Sequence, residues 1–230
     1  MPDFLWETHL HTAEASRCGE ADAASLVRAY KSAGFHGVVV TDHFFNGNSR
    51  ARPHHRWQKK VDILFRGYLA ALKEGEALGV AVLLGWEYAY HGGDYLTYGL
   101  DEAFLRDQPD LCDITLEDYI GRVQAAGGLV SQAHPFRSAW YLPEPTPKSW
   151  DIVDAFEVFN GSHSAADRRW DDNALDMARK HNLIETAGSD VHDLAGVATA
   201  ALAFPEPFGS ARDFLSALRA REGRVVRRRG

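Results

Sequence analysis

Residues 4–43 read FLWETHLHTAEASRCGEADAASLVRAYKSAGFHGVVVTDH, and the organisation of the whole chain follows from that stretch. An apolar run ends in Thr8, His9 and His11. Leu26, Val27, Tyr30 and Ala33 then recur at helical spacing until Gly34, and a run of three valines ends in Thr41, Asp42 and His43. The pattern predicts a strand over 4–8, an amphipathic helix over 23–33 and a second strand over 37–41, which together make one βαβ unit. In an extended segment residues i and i+2 face the same way, so His9 and His11 can hold one cation together as the first strand runs out.

The same rhythm continues outward. Phe44 to Lys60 contains Asn46, Gly47, Asn48, Pro53 and three arginines and reads as a long surface loop; Val61 to Leu78 reads as a helix. VAVLLGWE (80–87) predicts a third strand ending in Glu87, and DYLTYGL (94–100), after the Gly92-Gly93 turn, predicts an extra one. Thr115 with Asp118 opens a further helix as a capping box, and Gly127-Gly128 closes it. LVSQAH (129–134), VDAFEVFN (153–160), LIETAGSD (183–190) and VATAALAF (197–204) are the remaining strands, with a helix over 164–181. A mainly parallel α/β sheet or barrel is expected, as one domain over residues 1–230.

Composition sets the class. The 230 residues are 45% hydrophobic and 25% charged, as in an ordinary globular chain, and the formal net charge of -7 argues against bulk electrostatic wrapping of nucleic acid. The arginine run Arg224, Arg227, Arg228, Arg229 is a local exception and reads as a solvated end. Only Cys18 and Cys112 are present, which fits a reducing compartment; with no signal-like leader and no long apolar run, a cytoplasmic protein without membrane contact is expected.

What stands out is where the metal-binding residue types fall. His9, His11, His43, His134 and His192, together with Asp42, Glu87, Glu157 and Asp190, all sit at predicted strand ends. Imidazole and carboxylate suit divalent metals of borderline softness, and the carboxyl ends of parallel strands are where α/β folds converge their loops. The expectation is a multi-metal hydrolase.

The ordered set HLH, TDH, GWE, AHP, EVFN and GSDVH, spread over residues 9–192, resembles the PHP (polymerase and histidinol phosphatase) family over nearly the whole chain. The resemblance implies a distorted TIM-like (β/α)7 barrel with two or three divalent ions (Zn, Mn or Fe) at the strand carboxyl ends, and phosphoester hydrolysis. The implied ligands are His9, His11, His43, Glu87, His134, Asp190 and His192, with Asp42 behind them orienting His43 or a metal-bound water. The chain departs from the family pattern in the stretch after HxH. There TAEASRCGE lacks the Asp or His of some trinuclear members, leaving Glu14, Glu20 or Cys18 as substitutes. His91 and Asp94 compete for a further ligand position after the third strand, with Asp94 preferred.

Metal ions that lower the pKa of a shared water supply hydroxide for attack on phosphorus without a nucleophilic side chain. Consistently, no G-x-S-x-G elbow and no phosphate-binding P-loop is present. Arg17 and Arg137 are the first choices for holding phosphoryl oxygens, with Arg50, Arg52, Arg168 and Arg169 as further cations on the same face. His163 either protonates the leaving alcohol or is a loop histidine. Glu157 and Asn160 are divided between direct contact and support. Trp57, Tyr88, Tyr90 and Trp140 line a pocket or belong to the core. The expected substrate is a small phosphorylated molecule; histidinol phosphate is a candidate that only the family resemblance implies, nucleotides and cyclic phosphates are others, and nucleic acid is expected only as an end-processed substrate. A silent metal-binding module and an amidohydrolase-like C–N hydrolase are the competing readings.

Overall fold

In the first βαβ unit of the computed structural model, the strand carrying the HxH motif is β1 (Phe4–Glu7), followed by α1 (Ala23–Ser32) and β2 (Phe35–Val40). Asp22 caps α1 by accepting from Ser25 N, and Leu26, Val27 and Tyr30 turn its apolar stripe onto the sheet. The structure describes residues 3–138, 149–163 and 167–228. After β2 come α2 (Trp57–Leu78), β3 (Ala81–Tyr90), β4 (Gly93–Tyr98), α3 (Glu102–Arg106), α4 (Leu116–Ala125), β5 (Leu129–Ala133), β6 (Ala155–Asn160) and α5 (Arg168–Lys180). The chain closes with β7 (Ile184–Gly188), β8 (Ala200–Phe204), α6 (Ala211–Arg219) and β9 (Arg224–Arg227).

The strands form one sheet in the order β7-β6-β5-β4-β3-β2-β1-β8-β9. β1, β2 and β3 pair in parallel, as do β5, β6 and β7, while β4 is antiparallel to both of its neighbours and β8 to both of its own. The sheet curls until β7 meets β1: Thr8 Oγ1 donates to the Ala187 carbonyl at 2.8 Å and Ser189 N donates to Glu7 Oε1 at 2.9 Å. Gly188 permits this approach, since a Cβ there would lie 2.3 Å from His9 Cβ. The result is a nearly closed, distorted TIM-like barrel. The distortion comes from the tight β3–β4 turn and the longer β7–β8 loop, which lack a crossover helix and so reverse a strand.

Alternation along the strands sorts the core. Trp6, Val39, Leu83, Leu96, Ala155 and Leu202 point inward. Val38, Val40 and Val82 face α1 and α2, and Leu84, Val130 and Phe156 pack against the outer α2–α4 layer. The amino ends of the parallel strands are stoppered by α6, whose Phe214, Leu215 and Leu218 join the inner cluster. Gly99 makes room, because a Cβ there would lie 2.1 Å from Leu215 Cδ1.

Three expectations change. The loop read over 44–60 ends early, because α2 begins at Trp57, whose Nε1 donates to the Leu105 carbonyl. α6 goes unmarked by any long apolar run, although Ser210 caps it by accepting from Asp213 N. The basic tail is a strand and not a solvated end: β9 pairs with β8, the Arg227 and Arg228 guanidiniums lie over the Phe159 and Phe35 rings, and Arg224 pairs with Asp3; Arg229 is outside the described residues.

Candidate metal centre

β1 delivers His9 and His11, both fully buried, onto the carboxyl-end face of the barrel. His9 Nδ1 lies 2.9 Å from Glu157 Oε1 and His192 Nδ1 2.9 Å from the Asp190 carbonyl. Both partners can only accept, so each Nδ1 carries a proton and Nε2 is the ring atom left to meet a proton or a cation. His11 follows the same logic. Ser16 Oγ gives its hydrogen to Asp42 Oδ1 at 2.6 Å, and so presents an acceptor to His11 Nδ1 at 3.4 Å.

The freed Nε2 atoms converge. His9 and His11 Nε2 stand 3.1 Å apart, 3.4 and 3.3 Å from Asp190 Oδ1; Glu87 Oε1 lies 3.3 Å from His9 Nε2 and 3.4 Å from His134 Nε2. Among the described residues three overlapping groups result, each with its donor atoms within 4.8 Å of one another: His9, Glu87 and His134; His9, His11 and Asp190; and His11, His43 and His192. His43 Nδ1 and Glu87 Oε2 are 2.7 Å apart, yet neither makes a hydrogen bond among the described residues. Lone pairs aimed at common points, and buried polar atoms left without hydrogen bonds, are what a cation-binding donor set looks like before its ions are counted.

The electrostatics agree. Burial disfavours a charged His9, but Asp190, Glu157 and Glu87 overturn this and lift its pKa well above the usual imidazole value. Burial likewise opposes ionised Glu87 and Asp190, and the surrounding imidazoles hold both well below the carboxylate range. A field that draws protons onto buried imidazoles also draws divalent cations. His11, buried and beside His43, is pushed down to about 3 and stays neutral, the form a ligand requires.

Supporting residues fix these orientations. Glu157 is saturated: Oε2 accepts from His134 N and Asn160 Nδ2 while Oε1 takes His9. Asn160 Nδ2 also reaches Asp190 Oδ2, leaving Oδ1 for the two histidines. His134 and Asp190 both have positive φ, 29° and 51°, a strained conformation for a side-chain-bearing residue that the surrounding network must hold. Glu7 ties the floor together, accepting from His9 N, Ser189 N and Tyr30 OH; burial raises its carboxyl above the usual value.

The structure brings together most, but not all, of the residues singled out in the sequence. A cleft of about 320 Å³ is lined by Cys18, His43, Glu87, Asp94, His134, Arg137, Asp190 and His192. β4 runs opposite to β3, so its first residues lie on this face and Asp94, not the exposed His91, comes within 3.9 Å of His134 Nε2. Arg137 donates to Asp94 at 3.2 Å. Asp42 has no hydrogen bond to an imidazole among the described residues: it accepts from Thr12 N, Thr12 Oγ1 and Ser16 Oγ, and Ser16 in turn accepts His43 N. Burial raises Asp42 to about 6, against the lowering effect of Ser16 and Thr12. Glu14 is turned away, with both carboxyl oxygens accepting Ala23 N at the start of α1. Cys18 faces the cleft instead, and although burial opposes its thiolate, contacts with His192 and His43 lower it to about 6.

His163 does not line the cleft; its Nδ1 is bound to buried Asp171 at 2.8 Å. Arg17 is exposed and lines a separate groove. Tyr88 is core, stacked on Tyr119 at 3.7 Å, and Trp140 lies outside the described residues. Thr12, Ser16 and Glu7 were missed in the sequence because a hydroxyl or a single carboxylate beside the HxH motif carries no spacing signature of its own.

A nearly closed α/β barrel with buried imidazoles and carboxylates at its strand carboxyl ends defines the metal-centre class of this fold. Residues 168–222 match the family model described as PHP-associated. A two-domain protein containing a predicted PHP-like metal-dependent phosphoesterase, from Bacteroides vulgatus, is 19% identical with a TM-score of 0.71. That match covers 99% of this chain and 65% of the Bacteroides chain, so this chain spans less than two thirds of its length. An amidohydrolase from Chromobacterium violaceum is 16% identical with a TM-score of 0.57, covering 96% of this chain and 97% of that one. The lesion-specific endonuclease PfuEndoQ from Pyrococcus furiosus is 14% identical with a TM-score of 0.64, covering 95% and 56%. No curated protein sequence matches the chain. The C-terminal part of the chain is thus similar to the PHP-associated family model, and the barrel shares its fold with the PHP-like phosphoesterase structure.

Proposed function

We propose that this protein is a metal-dependent phosphoesterase acting on a small phosphorylated molecule, working as one domain over residues 1–230. The observation that carries the reading is the pair of imidazoles, His9 and His11, whose Nδ1 atoms are engaged by Glu157 and Ser16, so that their Nε2 atoms meet the Glu87 and Asp190 oxygens, with His43 and His192 grouped beside His11. His9, His11, His43, Glu87, His134, Asp190 and His192 would hold two or three divalent ions, Zn, Mn or Fe. When bound, such ions lower the pKa of a coordinated water toward neutrality and offset charge on phosphoryl oxygens. The chain's own residues do the rest. Arg137, held by Asp94 at the cleft wall, offers a guanidinium to the phosphoryl oxygens. Glu157, Asn160 and the Asp42–Ser16 pair keep the ligands from rotating. The Arg137 guanidinium at the cleft wall favours phosphorus over the C–N bond of the amidohydrolase reading.

The test pairs metal content with turnover. Protein purified without chelator is expected to carry two or three divalent ions per chain and to hydrolyse p-nitrophenyl phosphate or bis-p-nitrophenyl phosphate. Both properties should be lost on chelation and regained on adding metal. Bound metal with no phosphoester turnover, but with amide hydrolysis, would transfer the site to the C–N class.

A further inference from the structure

Arg17, Arg50 and Arg52, with Pro53 and His54, line an open groove of about 530 Å³ that the metal cleft does not include. All three arginines are exposed, and none of their guanidiniums has a hydrogen-bond or ion-pair partner among the described residues. A chain of net charge -7 thus gathers three unpaired guanidiniums in one place. The surroundings are cationic as well. His55 Nδ1 accepts Arg52 N at 3.1 Å, which needs the neutral ring, and desolvation followed by His54, Arg52, Lys59 and Lys60 keeps its pKa below the usual value.

Groove and cleft share a wall. Two segments meet in an antiparallel bridge at Ser16 and Ser49, with Arg17 N donating to the Asn48 carbonyl at 2.9 Å and Arg50 N to the Ala15 carbonyl at 2.7 Å. Cys18 and Asn48 turn into the metal cleft, whereas Arg17 and Arg50, one and two residues along, turn into the groove. The wall is therefore only a residue or two thick, about 4–7 Å along the chain. Guanidinium forks match phosphate oxygens in pairs, and unpaired ones offer that fit without first breaking an internal bond.

We propose that Arg17, Arg50 and Arg52 form an anion site outside the metal cleft, which takes a second phosphate of the substrate beside the ester that is cleaved. The inference rests on the phosphoesterase reading above and narrows its substrate to esters carrying a further phosphate. That second phosphate is either a terminal group on a nucleotide or the next linkage of a short oligonucleotide.

The experiment compares wild type with the double variant Arg50→Ala, Arg52→Ala, both metal-loaded. The esters are bis-p-nitrophenyl phosphate, dithymidine monophosphate, its 5′-phosphorylated form, and a five-residue oligothymidylate. Wild type is expected to prefer the phosphorylated dinucleotide to the unphosphorylated one by about ten- to a hundredfold in kcat/KM, mostly through KM. The double variant should lose that preference while hydrolysing bis-p-nitrophenyl phosphate at the wild-type rate. A gain that grows only with the oligothymidylate would assign the groove to an internal linkage, and one complete with the 5′-phosphate to a terminal group. Equal treatment of the two dinucleotides and the oligothymidylate by wild type would overturn the proposal, as would a preference that survives in the double variant. Binding of fluorescein-labelled oligothymidylate keeps the two readings separable. If no ester is cleaved yet the double variant binds at least tenfold more weakly, the groove stands and the phosphoesterase reading falls; equal binding removes the groove.

Discussion

At the amino ends of its strands the barrel is filled by rings, with Phe214 of α6 lying 5.5 Å from Trp6 and 5.9 Å from Tyr98 and Phe204. At the carboxyl ends the equivalent depth holds His9, His11, Glu87, Glu157 and Asp190, all at least 95% buried, with two backbones at positive φ. The same strands carry both ends, yet one gains free energy from apolar burial and the other pays for desolvated charge and strain. Stability and chemistry are thereby assigned to opposite ends of one scaffold, and each can be perturbed with limited cost to the other.

The harshest break in that division is Phe214→Ala. Truncating a buried ring should cost about 3–5 kcal/mol in chemical denaturation, while metal content per folded molecule stays at the wild-type value. A fall in metal content at temperatures where the variant is fully folded would show that the plug also shapes the site. Next comes Glu157→Gln. Losing the carboxylate behind His9 Nδ1 should weaken metal binding about 10–100-fold in a competition titration against a chelator, with the fold retained. Unchanged affinity would mean that Glu157 does not set the His9 tautomer.

Glu7 sharpens the comparison through pH. Its folded pKa is raised by burial, so the folded state holds this proton more tightly than the unfolded chain does. Its contribution is fully present below the ordinary glutamate value of about 4.3 and is lost as pH rises through the folded pKa. Relative to Glu7→Gln, wild type should lose stability on going from pH 4 to pH 8; a constant difference between the two denaturation midpoints would contradict it. The mildest change is Asp22→Ala, outside both ends, which removes the cap of α1 and should cost about 1 kcal/mol with no change in metal content.

The division also explains what could be read from the chain alone. Strand ends carrying His9, His11, His43, His134 and Asp190 were legible, because alternation and HxH spacing are local and the chemistry of the residue types is distinctive; Glu87 was read as the end of its strand, whereas β3 runs on to Tyr90 through its pairing with β4. Asp94 was reachable by the same reasoning once an extra strand was placed after Gly92-Gly93. Arg17 was not. Its neighbour Cys18 faces the cleft, and nothing local says which of two adjacent residues points inward when the segment is held by a bridge to Ser49. His163 misled for a related reason, since its partner Asp171 comes from the following helix. β9 was read as solvated tail because its four residues become a strand only by pairing with β8. α6 had a local sign, Ser210 three residues before Asp213, but its role as a stopper depends on Gly99, more than a hundred residues earlier.

That stopper has a consequence for traffic. With Phe214, Leu215 and Leu218 seated among Trp6, Tyr98 and Phe204, the amino end of the barrel is filled. The cleft beside Arg137 and His192 lies at the opposite end. On the proposed phosphoesterase reading, substrate arrives and product leaves through that cleft, so release and capture compete for the same passage.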